Sequence, residues 1–393
     1  MKTLIELYDE RPLENVLGVE MFRPEQVVYI CPTEVAGDKR IHRQLREYFR
    51  HRGMTPELFF AKADIYDTEA ILTLLRRTVQ EHPDCAVDIT GGTDAVLFAA
   101  GLLSAERPIP VFTYSRKKNS FYDIRNAAFA HQMPCPVRYT VEDCFRMAGG
   151  SMRTGRVDNA ILDQYREDYE PFFQLYLRHR RDWIQIVTFF QRISQTAPDA
   201  PIPMAVEGPY TVKGERGARI SAPEAVLREL EGMRFLADLE IAANERVSFR
   251  FRDGQIRTWL RDVGSVLELY VYKACLDSGL FDDVRTSAVV DWEGDKRTNA
   301  VSNELDVMAT RGVTPVFISC KTCDVKTEAL NELAILRDRF GGQIAKAAIV
   351  TAERGRTVMR NRASELNIMV IDLDDLENGR IGQRLKSLMG SGS

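Results

Sequence analysis

The sequence has no apolar run near the ~20 residues that a bilayer-spanning helix needs. Its first residues hold Glu6, Asp9 and Glu10 where a secretory leader needs an apolar stretch. Both absences point to a chain that stays in the cytoplasm and has no membrane partner. Cysteine is scarce, with 7 in 393 residues, and only Cys320 and Cys323 lie close together. An odd, scattered set argues against a disulfide framework. With no second CxxC and no HxxxH, zinc is disfavoured and the pair reads as ordinary thiols. There is no GxGxxG and no GxxxxGK[ST], which disfavours a dinucleotide cofactor and ATP hydrolysis. Positive charge is not in excess: 53 Lys and Arg face 57 Asp and Glu, for a net charge of −4. No global field attracts nucleic acid, although a local basic face or a bound cation can still hold phosphate. There is no internal repeat and no low-complexity segment beyond the terminal Gly390-Ser391-Gly392-Ser393, which reads as a tail.

The length suits two or three domains. Over 1–148, strand-like segments (Thr3–Tyr8, Gln26–Cys31, Glu57–Ala61, Ala86–Thr90, Ile109–Tyr114) alternate with helical ones (Lys39–Arg52, Thr68–Glu81, Asp94–Leu103). This is the pattern of βαβ units on a parallel, Rossmann-like sheet. Residues 149–255 change character. Two long helices are expected over 158–194, then a small α+β module with a strand near 204–213, a helix near 222–240 and a hairpin turning at Asp253-Gly254. A second α/β domain follows over 256–389.

Ligands of open parallel sheets bind at the carboxyl ends of the strands. The loops expected there carry Asp9-Glu10-Arg11-Pro12, Thr33, Gly91-Gly92-Thr93-Asp94, and Arg116-Lys117. In the third loop a strand runs straight into two glycines, which allow close backbone approach. Thr93 and Asp94 can then cap the next helix, whose N-terminus attracts anions. A plain strand-to-helix turn would use the same residues.

The sharpest chemistry lies between 263 and 352. Val263–Gly279 reads as an amphipathic helix with Glu268 at the edge of its apolar face. Two strands follow, one with Glu304 and Asp306 and one with Ser319 and Lys321, joined by a turn at Arg311-Gly312. Residues two apart in a strand share a face, so two acids and a lysine are expected over one side, with Glu268 joining them. Carboxylates hold Mg²⁺ or Mn²⁺, and a lysine can orient water or meet growing phosphate charge. The pattern therefore predicts phosphodiester hydrolysis.

This order resembles the PD-(D/E)xK nuclease superfamily, with Glu268, Asp306 and Lys321 at the matching positions. Ser319 stands where that superfamily has Asp or Glu, so Glu304 or Asp291 is expected to substitute as a metal ligand. The whole chain is similar to CRISPR ancillary nucleases that carry a CARF domain. The likeness rests on Tyr8-Asp9-Glu10-Arg11-Pro12-Leu13-Glu14-Asn15, the strand–Gly91-Gly92-Thr93–helix, Glu304-Leu305-Asp306, Ser319-Cys320-Lys321-Thr322-Cys323 and Phe340-Gly341-Gly342. It implies a CARF domain and a restriction-endonuclease-like domain, a cyclic oligoadenylate activator (cyclic tetra-adenylate in the first place), a homodimer, and DNA or RNA as substrate. The main alternative is a CARF-type transcription regulator that binds DNA without cutting it.

Overall fold

Seven strands lie side by side in the N-terminal half of the computed structural model, which describes residues 1–153, 159–196, 201–214, 217–242, 245–291 and 302–390. The tail from Ser391 onward lies outside the described residues, as does the polar segment 292–301. The strands are β1 (Thr3–Leu7), β2 (Gln26–Pro32), β3 (Glu57–Ala63), β4 (Cys85–Asp88), β5 (Val111–Ser115), β6 (Ser120–Arg125) and β7 (Met133–Pro134), in the order β3-β2-β1-β4-β5-β6-β7. The first five are parallel; β6 and β7 are antiparallel additions. Helices α1 (Leu17–Phe22), α2 (Thr33–Gly37), α3 (Lys39–His51), α4 (Thr68–Glu81) and α5 (Asp94–Glu106) connect them, and α6 (Val141–Met147) leads out. Chain order reverses between β1 and β4, so the loops after these two strands open the crevice where such sheets take ligands.

The central strands are wholly buried, as their apolar runs require. Two acids break the pattern. Glu6 on β1 and Asp88 on β4 are 0% and 1% exposed, and three of their four carboxylate oxygens have no hydrogen-bond partner among the described residues. Gly18 on α1 makes room for them: a Cβ there would collide with Asp88 Oδ2 and come within 2.8 Å of Glu6 Oε1. Burial drives the Asp88 carboxyl up to about 7 despite the hydrogen bonds from Thr90. Burial also drives Glu6 well above the usual range, and the charge of Asp88 adds to this. In an unfolded chain both lose their protons near about pH 4. The folded domain thus binds more protons than the unfolded one from about pH 4 upward. The pair's contribution to stability is intact below that pH and is lost as pH rises through about 7. The thermal midpoint is expected to fall between about pH 5 and 8, and Asp88→Asn should flatten that slope. Scanning fluorimetry across this range measures both, and parallel slopes would refute the assignment.

The middle segment begins with α7 (Asn159–Leu162), α8 (Tyr169–His179) and α9 (Trp183–Ile193). It continues through β9 (Ala205–Pro209), β10 (Thr211–Lys213), β11 (Arg219–Ser221), α10 (Glu224–Gly232), β12 (Leu236–Ala242), β13 (Arg246–Phe251) and α11 (Gly254–Leu260). Two expectations fail here. The helix near 222–240 stops at Gly232 and gives way to β12, because Leu236–Ala242 pairs with β13. Asp253-Gly254 is not a hairpin turn. Asp253 caps α11 by accepting from the amides of Gln255 and Ile256, both at 2.9 Å, so a local cap overrides the Asp-Gly turn signal.

The C-terminal domain has a six-stranded sheet in the order β18-β17-β16-β15-β14-β8. These strands are β8 (Ser151–Arg153), β14 (Asp283–Asp291), β15 (Ser302–Arg311), β16 (Thr314–Lys321), β17 (Lys346–Thr351) and β18 (Ile368–Ile371). Its helices are α12 (Ser265–Asp277), α13 (Thr327–Gly341), α14 (Thr357–Glu365), α15 (Leu373–Glu377) and α16 (Ile381–Met389). β8 lies just after the N-terminal domain in sequence yet forms an edge of this sheet. One face of the sheet shares a core with α12 and the middle segment, and the other shares a core with α13, α6 and the N-terminal domain. The link is specific: Tyr139 donates its amide to the Gly312 carbonyl at the β15–β16 turn (2.9 Å), and Thr310 donates its hydroxyl to the Tyr139 carbonyl. No helix among the described residues is long and apolar enough to cross a membrane.

Candidate active site and ligand loops

Asp306 on β15 is the organising carboxylate of the C-terminal domain. Its Oδ2 accepts from the Ser319 hydroxyl (3.0 Å), the Cys320 amide (2.6 Å) and the Lys321 ammonium (3.4 Å). Three donors on one oxygen fix the side chain where β15 and β16 part. Ser319, which departs from the acid expected there, therefore acts as a positioning group for Asp306. The sequence offered no sign of that role, because it depends on the two strands lying side by side.

Strict alternation breaks at Asp306. Leu305 packs into the core with Met308 and Phe317, whereas Val307 packs into the opposite core with Val316 and Ile318. The β14–β15 ladder skips the Ser287/Asp306 pair, and Ser287 adopts a φ of 51°. This irregularity re-aims the chain at the candidate site, as bulges do beside functional sites. The simple two-residue period expected through this strand is thus corrected by the backbone.

Glu268 sits in the first turn of α12, partly buried against this sheet. Gly264 leaves space for it, since a Cβ there would come within 2.9 Å of Glu268 Oε1. Burial pushes the Glu268 carboxyl up to about 8, and the charges of Asp306, Asp262 and Glu304 push the same way, against Lys321. Lys321 is held above its ordinary value: burial alone would lower it, but the attraction and hydrogen bond of Asp306 outweigh that. Glu268 thus feels Asp306, exposed Glu304 and Lys321, Lys321 feels Asp306 and Glu268, and Asp262 is an acid that sequence reasoning missed. Asp291 is buried as the last residue of β14, opposite Ser302 on one side and Ser151 of β8 on the other. Among the described residues no group of three or more His, Cys, Asp or Glu side chains is gathered closely enough to hold a metal ion. Cys320 and Cys323 are free thiols, the first buried and the second exposed. Ser319→Ala removes one of three hydrogen bonds to Asp306. Cleavage is expected to slow about tenfold, in keeping with roughly 1–1.5 kcal/mol for one such bond. A rate within twofold of the parent would refute the positioning role.

In the N-terminal domain, three of the four expected loops come together at the reversal between β1 and β4. Asp9 receives the Arg11 guanidinium (2.7 Å) and the Gly92 amide (3.1 Å), while Asn15 and Asp9 exchange hydrogen bonds at 2.8 and 2.7 Å. Burial raises the Asp9 carboxyl, but Arg11 and the amides of Arg11 and Gly92 outweigh it and hold it below its ordinary value. Arg116 pairs with buried Glu14, and Arg11 approaches the same acid at 3.7 Å. Glu14 is a second acid that sequence reasoning missed.

The two glycines serve packing first. A Cβ on Gly91 would meet the Leu7 carbonyl at 2.9 Å, and one on Gly92, whose φ is 100°, would meet Leu7 Cβ at 2.9 Å. Thr93 stands at the N-cap of α5, but its side chain makes no capping hydrogen bond, contrary to expectation. Thr93 is exposed. Glu10 and Lys117 are likewise exposed on these loops, Thr33 and Asp94 are exposed at the first positions of α2 and α5, and Pro12 opens a short 3₁₀ turn.

Fold and clusters together define the class: a Rossmann-like domain with polar loops at its switch point, joined to a restriction-endonuclease-like α/β domain. Residues 257–389 match the family described as Card1-like, endonuclease domain. Over nearly its whole length the chain is similar to protein VC1899 from Vibrio cholerae, at 18% identity, covering 98% of this chain and 97% of that chain with a TM-score of 0.73. It is similar, too, to Can2 from Sulfobacillus thermosulfidooxidans, solved in complex with cyclic tetra-adenylate, at 16% identity, covering 99% of this chain and 97% of that chain with a TM-score of 0.69. No curated protein matches the sequence. The C-terminal third of the chain therefore matches a Card1-like endonuclease domain, and the chain as a whole shares its fold with these two proteins, in line with the resemblance drawn from its motifs.

Proposed function

We propose that this protein is a metal-dependent endonuclease of type III CRISPR defence, switched on by a cyclic oligoadenylate, in the first place cyclic tetra-adenylate. It acts as a cytoplasmic homodimer on DNA or RNA. The observation that carries the reading is the Asp306 carboxylate, held by Ser319, Cys320 and Lys321 and set against Glu268 inside the endonuclease domain.

In chemical type the donors suit Mg²⁺ or Mn²⁺, although among the described residues they are not gathered into a preformed site. Asp306, Glu304 and Glu268 offer hard oxygens; burial raises Glu268 most, the charges of Asp306 and Glu304 add to it, and a divalent cation would relieve that part of the imbalance. When bound, such an ion polarises a phosphate and makes water a better nucleophile. The chain's own groups do the rest. Asp306, pinned by its three donors, keeps its oxygens in a constant position. Lys321 stays charged and meets the phosphate or orients the attacking water.

The test measures cleavage of single- and double-stranded DNA and RNA with Mg²⁺ or Mn²⁺, with and without cyclic oligoadenylates, and with a chelator control. Expected is cleavage that needs both the ion and the activator. Binding of DNA without cleavage, unaffected by chelator, would establish a transcription regulator instead. Cleavage equally fast without activator would leave a nuclease under no small-molecule control.

A further inference from the structure

A cavity of about 500 Å³ lies between the two domains of one chain. This volume is within the usual range for ligand sites, about 300–1,000 Å³. Its walls come from four places. Arg11 and the β1 loop belong to the switch point, and Arg43 comes from α3. Arg146 comes from α6 and the pair Gly149-Gly150 from the connection after it. Arg339 and Gly342 come from the end of α13, in the endonuclease domain. A smaller neighbouring cavity shares Arg11 and Gly342, and Arg116, Pro315 and Phe340 also line it. The Phe340-Gly341-Gly342 motif thus has a place: it ends α13 at the floor of the ligand loops. It is tightly seated, since a Cβ on Gly341 would collide with Ala345 and come within 2.8 Å of Pro315.

We propose that this cavity is part of the activator site and that Arg339, a residue of the endonuclease domain, contacts a phosphate of the activator. The proposal rests on the activator reading given above and adds that both domains of one chain grip the same ligand. The lining favours an anion, with five arginines against three acidic residues, and the guanidinium fork suits phosphate. The placement also gives a direct route for control. α13 starts at Thr327, shortly after Lys321, and ends at the cavity, so a ligand that pulls on Arg339 acts on the element following the catalytic strand. A ligand shifts a conformational equilibrium only through contacts that differ between states, and contacts to both domains can differ in that way.

The experiment titrates cyclic tetra-adenylate into the full-length protein by calorimetry, with Arg339→Ala, Arg339→Gln and Arg339→Lys beside the parent. Arg339 is exposed, so these variants are expected to fold, and the melting curve without ligand checks this. Expected for Arg339→Ala and Arg339→Gln is a dissociation constant raised about tenfold, as for loss of one charge-assisted contact, with an equal rise in the activator needed for half-maximal cleavage. Arg339→Lys should recover part of the affinity. An unchanged dissociation constant in Arg339→Ala or Arg339→Gln overturns the inference and leaves the activator reading intact. If the parent itself binds no cyclic oligoadenylate, the activator reading falls and this inference falls with it.

Discussion

Asp306→Ala is expected to reduce cleavage by at least about a hundredfold, the scale seen when a preorganised electrostatic contact is lost from an active site. Binding of the cyclic nucleotide should be unchanged, because Asp306 lies in the endonuclease domain and its contacts go to Ser319, Cys320 and Lys321. Lys321→Ala should fall by a similar factor, for it removes the positive charge facing that carboxylate. A time course with labelled substrate in Mn²⁺, paired with a melting curve, measures the effect. A folded Asp306→Ala protein that still cuts at a tenth of the parent rate would end the assignment. Effects on residues acting as a unit are not additive, so the double variant should be scarcely slower than either single one.

The second large effect is a coupling. If the activator works by making a groove for nucleic acid, linkage requires that uncleaved nucleic acid tighten activator binding by the same factor. Coupling energies of this kind are commonly about 1–3 kcal/mol, or roughly 5- to 150-fold in affinity. Asp306→Ala is the form for the measurement, because its substrate survives. Activator affinity with and without saturating substrate should therefore differ at least about fivefold. Equal affinities would confine control to the catalytic step.

The physical route for such coupling is short within one chain. Arg138 pairs with Asp282 at 2.7 Å, Tyr139 bonds across the β15–β16 turn, and Phe145 packs edge-on against Phe340 with centroids 5.0 Å apart. Both strands that carry Asp306 and Lys321 end at this contact. The connection through α6 and β8 joins the two sheets directly.

How much of this was legible in the chain depends on the range of the interaction. Periodicity marked most of the N-terminal strands and helices to within a residue or two, since burial on a parallel sheet imposes its pattern locally; Thr68–Glu81 coincides with α4. The acids and lysine of the C-terminal domain were visible as residue types at fitting intervals. The middle segment was read least well. Residues 236–242 form a strand only because β13 lies beside them, and Asp253-Gly254 is a helix cap only because Gln255 and Ile256 turn into α11.

By itself, the sequence determined the two α/β halves, the loops at the β-strand ends, and the acid–acid–lysine order with Glu268 ahead of it. These follow from side-chain chemistry and short-range spacing, which the chain carries everywhere along its length. The tertiary structure alone decided the rest. Ser319 steadies Asp306, and the alternation of β15 breaks at that residue. Glu6 and Asp88 share a buried space under Gly18, and Arg339 faces the same cavity as Arg11. Each of these joins residues far apart in the chain, and a one-dimensional pattern holds no record of which distant groups the folded backbone brings within hydrogen-bonding or Coulomb range.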